Sequence, residues 1–140
     1  GQLALLYITM CRIAGIPARW QSGWMLYPSN VGMHDWTEIY LEPYGWVPVD
    51  PWVPVTFRSN DCYADPSIIS ETVNFYFGNM DPGRYYLNRD HGCDFIPSKK
   101  DFRSDDVDSQ RGEIEVNGTN VYFGDFSYKL SILEEREISQ

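Results

Sequence analysis

The chain has 140 residues, of which 20 are acidic and 11 basic, for a formal net charge of -9. That balance argues against nucleic acid and anionic membrane surfaces as partners, and the acid excess from Asp81 to Glu137 reads as a solvated surface. The length suits one domain with a real core, and the longest apolar stretch, Leu3 to Met10, falls far short of the roughly 20 residues that span a bilayer.

The first segment, Leu3 to Ala14, holds no Gly or Pro and is apolar almost all round. Such a run predicts a helix beginning at the first residue and buried on every face. Gly15 supplies its stop and Pro17 prevents it from resuming. Ala18 to Leu26 reads as an aromatic strand with Gly23 inside it, and Pro28 to Gly32 as a loop. Trp36 to Leu41 and Trp46 to Asp50 flank the turn Glu42-Pro43-Tyr44-Gly45 and predict a hairpin. Pro48 then implies an edge strand or a bulge.

Further on, Pro66-Ser67 followed by Ile68 to Phe77 predicts a capped short helix ending at Gly78. Arg84 to Asn88 suits a strand, and His91 to Asp108 a long polar surface excursion. Ile114 and Val116 alternate with charge before Asn117-Gly118, a hairpin turn signal. Phe126, Tyr128, Leu130 and Ile132 alternate with polar residues and predict a half-buried strand. The tail is thus expected to be an antiparallel β-meander. The fold class is α+β, with residues 1–80 as a core and residues 81–140 as a β-rich extension packed on it.

The chemistry centres on His34 and Asp50. A histidine and an aspartate suit the base and the orienting acid of a nucleophilic triad. On a regular strand His34, Trp36, Glu38 and Tyr40 share a face, as do Trp46, Pro48 and Asp50 on the other arm. A two-residue turn at Pro43-Tyr44 would set odd numbers against even ones and point Asp50 away from His34. For the pair to meet, the register must match even with even, or a bulge must intervene.

The ordered motifs Gly15-Ile16-Pro17-Ala18-Arg19, His34-Asp35-Trp36 and Gly45-Trp46-Val47-Pro48-Val49-Asp50 resemble the transglutaminase-like superfamily, of papain-like architecture. The resemblance runs from Leu3 to about Pro51. Phe77-Gly78-Asn79 and Arg111-Gly112-Glu113 resemble bacterial relatives with a β-rich tail, which implies export. In that family a nucleophilic cysteine opens the first helix, so the resemblance places it immediately before Gly1. It implies Cys-His-Asp acyl transfer on peptide or glutamine-type amides in the intact parent, with His34 and Asp50 as two members. Trp36 would shield the pair, and the backbone of Gly1 and Gln2 would lie beside the nucleophile and help bind an oxyanion. Peptide or protein is the implied substrate, and no cofactor or metal is implied. Hydrolysis and cross-linking both remain open. The alternative is a non-catalytic module of the same fold that binds protein or glycan.

The cysteines in hand do not fill the role. Cys11 lies roughly 15 Å into the helix, away from the N-terminal dipole. Cys62 and Cys93 lie in polar, loop-like sequence, where a disulfide or free thiols are equally allowed, and His91-Gly92-Cys93 matches no zinc spacing well. Aromatic residues make up 16% of the chain. Trp20, Trp24, Tyr27, Tyr44 and Trp52 either line a peptide or sugar cleft or supply area to a thin core, the second being favoured. Trp46 is expected to shield the pair with Trp36, and Arg19 to anchor an ion pair.

Overall fold

The computed structural model describes residues 1–27, 30–60, 65–103 and 112–134. The first helix, α1 (Gln2–Ile13), forms as the uninterrupted apolar run demands. Its buried residues are Ala4, Ile8 and Cys11, a stripe at helical spacing. Burial on every face is not what is found: Leu6 is 55% exposed, and Met10 and Ile13 are exposed too. One sheet lies against α1, and a single sheet covers a single stripe. Gly15 takes a positive φ of 78° just past the helix end, and Arg12 donates from Nε and Nη2 to the Ala18 carbonyl at 3.0 and 2.8 Å, tying that end to the first strand.

Four strands form an antiparallel sheet: β1 (Ala18–Tyr27), β2 (Asn30–Leu41), β3 (Gly45–Val49) and β4 (Arg84–Asn88), in the order β3-β2-β1-β4. A loop was expected at Pro28 to Gly32, of which residues 28 and 29 lie outside the described residues. Residues 30–32 are strand, with Asn30 opposite Tyr27. The ladder to β1 overrides their weak strand propensity. Between β2 and β3, Leu41 pairs with Gly45 and Thr37 with Val49, so even residues face even ones. The connection is three residues, not two, and Gly45 closes it at a φ of 80°. Register alone therefore puts His34 and Asp50 on one face, with no bulge. Pro48 sits on the edge strand, where a missing N–H breaks no ladder. Beyond β3, Phe77 bridges Val49 and the Gly78 N–H donates to the Pro48 carbonyl at 2.9 Å.

Gly23 is required by close approach. A Cβ there would meet the Tyr85 carbonyl oxygen at 1.9 Å, and the β1–β4 register shifts between Ser22 and Gly23. Only a residue without a side chain lets β4 pass this close.

The strands alternate between two faces. One meets α1: Ala18, Trp20, Ile39 and Val49 form the core with Ala4, Ile8 and Cys11. The other carries Arg19, Gln21, His34, Trp36, Glu38 and Asp50. Two helices follow β3. The helix α2 (Trp52–Asn60) falls where the sequence showed no clear pattern, because Pro54 and β-branched residues fill its first turn. The helix α3 (Pro66–Phe75) was expected. Its cap is Asp65, whose side chain accepts from the Ser67 N–H at 2.8 Å.

The tail departs from a meander. A hairpin of β5 (Ile114–Val116) and β6 (Thr119–Val121) turns on Asn117 and Gly118, both at positive φ as the dipeptide requires. A 3₁₀ turn at Phe123–Asp125 follows. Residues 126–134 form no strand, although their alternation predicted one. Alternation gives a strand two faces but no hydrogen-bonding partner, and none reaches this segment among the described residues.

Candidate active site

Asp50 follows the last residue of β3 and is 1% exposed. Its backbone N–H donates to the Tyr76 carbonyl at 3.0 Å. One carboxylate oxygen, Oδ1, accepts from the Trp52 N–H at 2.9 Å, capping the start of α2. The other, Oδ2, lies 2.7 Å from His34 Nε2 and 3.0 Å from Arg84 Nη1. The two residues picked out by motif order thus meet directly, the even register having removed the parity conflict. The imidazole is clamped between rings: Trp36 stacks at 6.3 Å between centroids and Trp52 meets it edge-on at 5.0 Å. Trp36 is itself buried, and its indole N–H donates to Gln21 Oε1.

Arg84 is the residue that the sequence reading missed. It opens β4, its side chain is 4% exposed, and it lies between two carboxylates. Its Nε donates to Asp81 Oδ2 at 2.8 Å. Its Nη1 sits beside Asp50 but off the hydrogen-bond axis, so that contact is one of charge. Its guanidinium carbon lies 5.6 Å from the Trp36 ring centroid and 5.7 Å from that of Tyr76. Burial opposes the charge on Arg84, but Asp81, Asp50 and Tyr76 together outweigh it and hold the group protonated beyond its ordinary range. For Asp81 burial likewise opposes ionisation. Hydrogen bonds from Tyr27, Arg84 and Tyr76 and the Arg84 charge overcome it and hold the carboxyl below its usual range. The signal in the sequence was Asp81-Pro82-Gly83-Arg84, a turn with an acid before it and a base after it.

The other expected residues fall as follows. The Gly1 nitrogen lies 2.7 Å from Asp35 Oδ2, so the start of α1 reaches the residue next to His34. Gln2 begins α1 and is exposed. β3 ends opposite Thr37, leaving the start of β2 without a strand neighbour on that side. Trp46 does not shield the pair. The Arg19 guanidinium stacks 3.9 Å above it, and Arg19 also pairs with Glu38 at 2.5 Å. Cys11 is buried in the core. Burial, the neighbouring carboxyls of Asp90 and Asp94 and a hydrogen bond to Asp90 push the Cys93 thiol up, against the Arg103 charge. Cys62, and with it the Cys62–Cys93 pairing, lies outside the described residues, as does Arg111. Among the described residues no group of three His, Cys, Asp or Glu is placed to hold a metal ion, and no helix is long and apolar enough to cross a membrane. The aromatic residues considered for a cleft are dispersed. Trp20 is in the core, Trp24 stacks on Tyr85, Tyr44 is 80% exposed at a turn and Trp52 covers His34.

A helix on an antiparallel sheet, with a half-buried histidine against a buried carboxylate on the sheet's second face, defines an α+β domain. Residues 1–51 match the model of the transglutaminase-like superfamily, the superfamily the motifs resemble. The matched span holds α1, β1, β2, β3, His34 and Asp50, and ends before Arg84. Comparison with curated proteins and with solved structures gave no match.

Proposed function

We propose that the intact parent carries out thiol-dependent acyl transfer on peptide or glutamine-type amides, with His34 as base and Asp50 as orienting acid. The nucleophile of this reading is a cysteine at the position immediately before Gly1. The observation that carries it is the 2.7 Å contact between His34 Nε2 and a carboxylate that is itself buried. With Nε2 bound to Asp50, the proton from a thiol goes to Nδ1. Asp50 holds the ring in that tautomer and stabilises its cation. The thiolate adds to the carbonyl carbon, and backbone N–H groups near Gly1 and Gln2 face the oxyanion. The imidazolium then protonates the departing amine, leaving a thioester. Water or an amine resolves it, giving hydrolysis or cross-linking.

The contact between the Gly1 nitrogen and Asp35 supports this placement, because it brings the start of α1 beside the strand that carries His34. In this reading a side chain one residue earlier has to reach His34 past the start of β2, where β3 no longer flanks it. A groove beside the pair, lined by Gln21, Trp36, Glu38, Pro48, Arg84 and Tyr86, leaves room for substrate on the same face. In this reading residues 1–80 form the catalytic core and 81–140 an extension that packs on it as one unit.

The test is a chain extended by one cysteine before Gly1. It should alkylate at neutral pH about 10²-fold or more faster at the new thiol than at Cys93, and His34→Ala should abolish most of that excess. Labelling of the new cysteine at the rate of an ordinary exposed thiol, insensitive to His34, would sink the enzyme and favour the binding module.

A further inference from the structure

We propose that Arg84 is a positioning residue of the candidate site, neutralising the buried Asp50 carboxylate so that His34 is held by a hydrogen bond without being forced into its cationic form. The proposal rests on the reading of His34 and Asp50 as base and orienting acid. It concerns a residue beyond the span that matches the superfamily.

The geometry carries the argument. Asp50 Oδ2 has two cationic or potentially cationic neighbours, His34 Nε2 at 2.7 Å and Arg84 Nη1 at 3.0 Å. A carboxylate 1% exposed needs a compensating charge close by. Without Arg84 that charge would have to come from the imidazole. An unbalanced carboxylate biases the imidazole toward its cation and makes it a weaker acceptor for a thiol proton. With the guanidinium present, Asp50 is balanced and the imidazole is free to cycle.

The fold places Arg84 with some rigour. Its Nε is anchored on Asp81, Asp81 Oδ1 accepts from the Gly83 N–H at 3.1 Å, and the Tyr76 hydroxyl donates to Asp81 Oδ2 at 3.1 Å. Gly23 lets β4 approach β1 at the point where this strand begins its pairing. The guanidinium is therefore held on its far side and presents only Nη1 to Asp50. Asp35, the next residue on the strand, meets the Gly1 nitrogen at 2.7 Å. Trp36 and Trp52 bring no charge to the ring.

The experiment follows the His34 ring by NMR against pH in the chain as it stands, so it needs neither a thiol nor turnover. Arg84→Met should raise the His34 titration midpoint by about one pH unit or more, because the imidazolium becomes the sole counter-charge of Asp50. Arg84→Lys, which keeps the charge but loses the fork, should bring the midpoint most of the way back. Asp81→Asn weakens the anchor of Arg84 but keeps its charge beside Asp50, and should not raise the midpoint. It thereby separates a general loosening of the fold from loss of the charge. An unchanged or lowered midpoint in Arg84→Met, or an equal rise in Asp81→Asn, would overturn the proposal. Failure of the extended chain to activate its thiol, with the His34 midpoint still moving as stated, would instead count against the catalytic reading alone.

Discussion

The two faces of the sheet are built from alternate residues of the same strands, yet they are held by different forces. Toward α1 the strands present Ala18, Trp20, Ile39 and Val49, and the contact is apolar area against Ala4, Ile8 and Cys11. Away from α1 they present His34, Trp36 and, past the end of β3, Asp50, closed by Arg84 and Asp81 in a chain of charges. Burial of apolar area is tolerant, because each side chain contributes on its own and neighbours can settle. A buried charge network is not tolerant, because removing one member strands the others. The difference teaches where the molecule can be altered and where it cannot.

The sharpest way to break the comparison is Asp50→Ala. It leaves His34 without its partner, the Trp52 N–H without its cap and Arg84 balanced by Asp81 alone. The expected loss is about 3–5 kcal/mol of unfolding free energy, read from urea denaturation. A loss no larger than that of an apolar truncation would mean that the network adds nothing beyond packing.

On the apolar face the expected losses are smaller and depend on side. Ile8→Ala removes a side chain 5% exposed and should cost about 2–3 kcal/mol, because a helix covering a sheet from one side can settle onto the gap. Leu6→Ala, on the 55% exposed flank of the same helix, should stay within about 0.5 kcal/mol. Equal effects at the two positions would show that the exposed flank of α1 is covered in solution by something else.

These faces were not equally legible in the sequence. Helix α1 was evident from its uninterrupted apolar run, but which stripe is buried depends on what lies against it, and Leu6, Met10 and Ile13 look no different from Ile8 in composition. His34 and Asp50 could be paired from motif order. Their meeting still hinged on one residue of loop length, since a two-residue turn would have parted them and the three-residue loop before Gly45 joins them. Helix α2 was hidden by Pro54, although proline is harmless in a first turn. The tail strand was a false signal for the opposite reason: residues 126 to 132 alternate well but find no ladder among the described residues. Arg84 was passed over because the acid and base around Pro82-Gly83 read only as a turn, and nothing local ties Arg84 to Asp50, which lies at a distant strand end.

The smallest expected effect, and the one that reads the charged face most directly, is the dependence of stability on pH. Asp81 is held below the ordinary carboxylate range, so its contribution is complete above about pH 4 and is lost as pH falls through its folded value. Asp65 and Asp101 are lowered as well, so Asp81→Asn should flatten the acid limb in part and not wholly. At the other end, burial and then the Asp81 hydrogen bond and charge, with Tyr76 adding and Arg84 opposing, push the Tyr27 hydroxyl up to about 12 from 10.0. A raised folded value favours the protonated form, so this contribution is present below pH 10.0 and fades between there and about 12. Tyr7, on the α1 side, is also pushed up to about 12, first by burial and then by Cys11. Removing either hydroxyl should flatten the alkaline limb, but only Tyr27 shares a partner with Arg84. Tyr27→Phe should therefore also lessen the effect of Asp81→Asn at acid pH in the double variant, whereas Tyr7→Phe should add to it independently. Urea midpoints across the pH range measure both limbs. If Tyr7 and Tyr27 behaved alike in the double variants, the charged face would be a set of separate contacts and not a network.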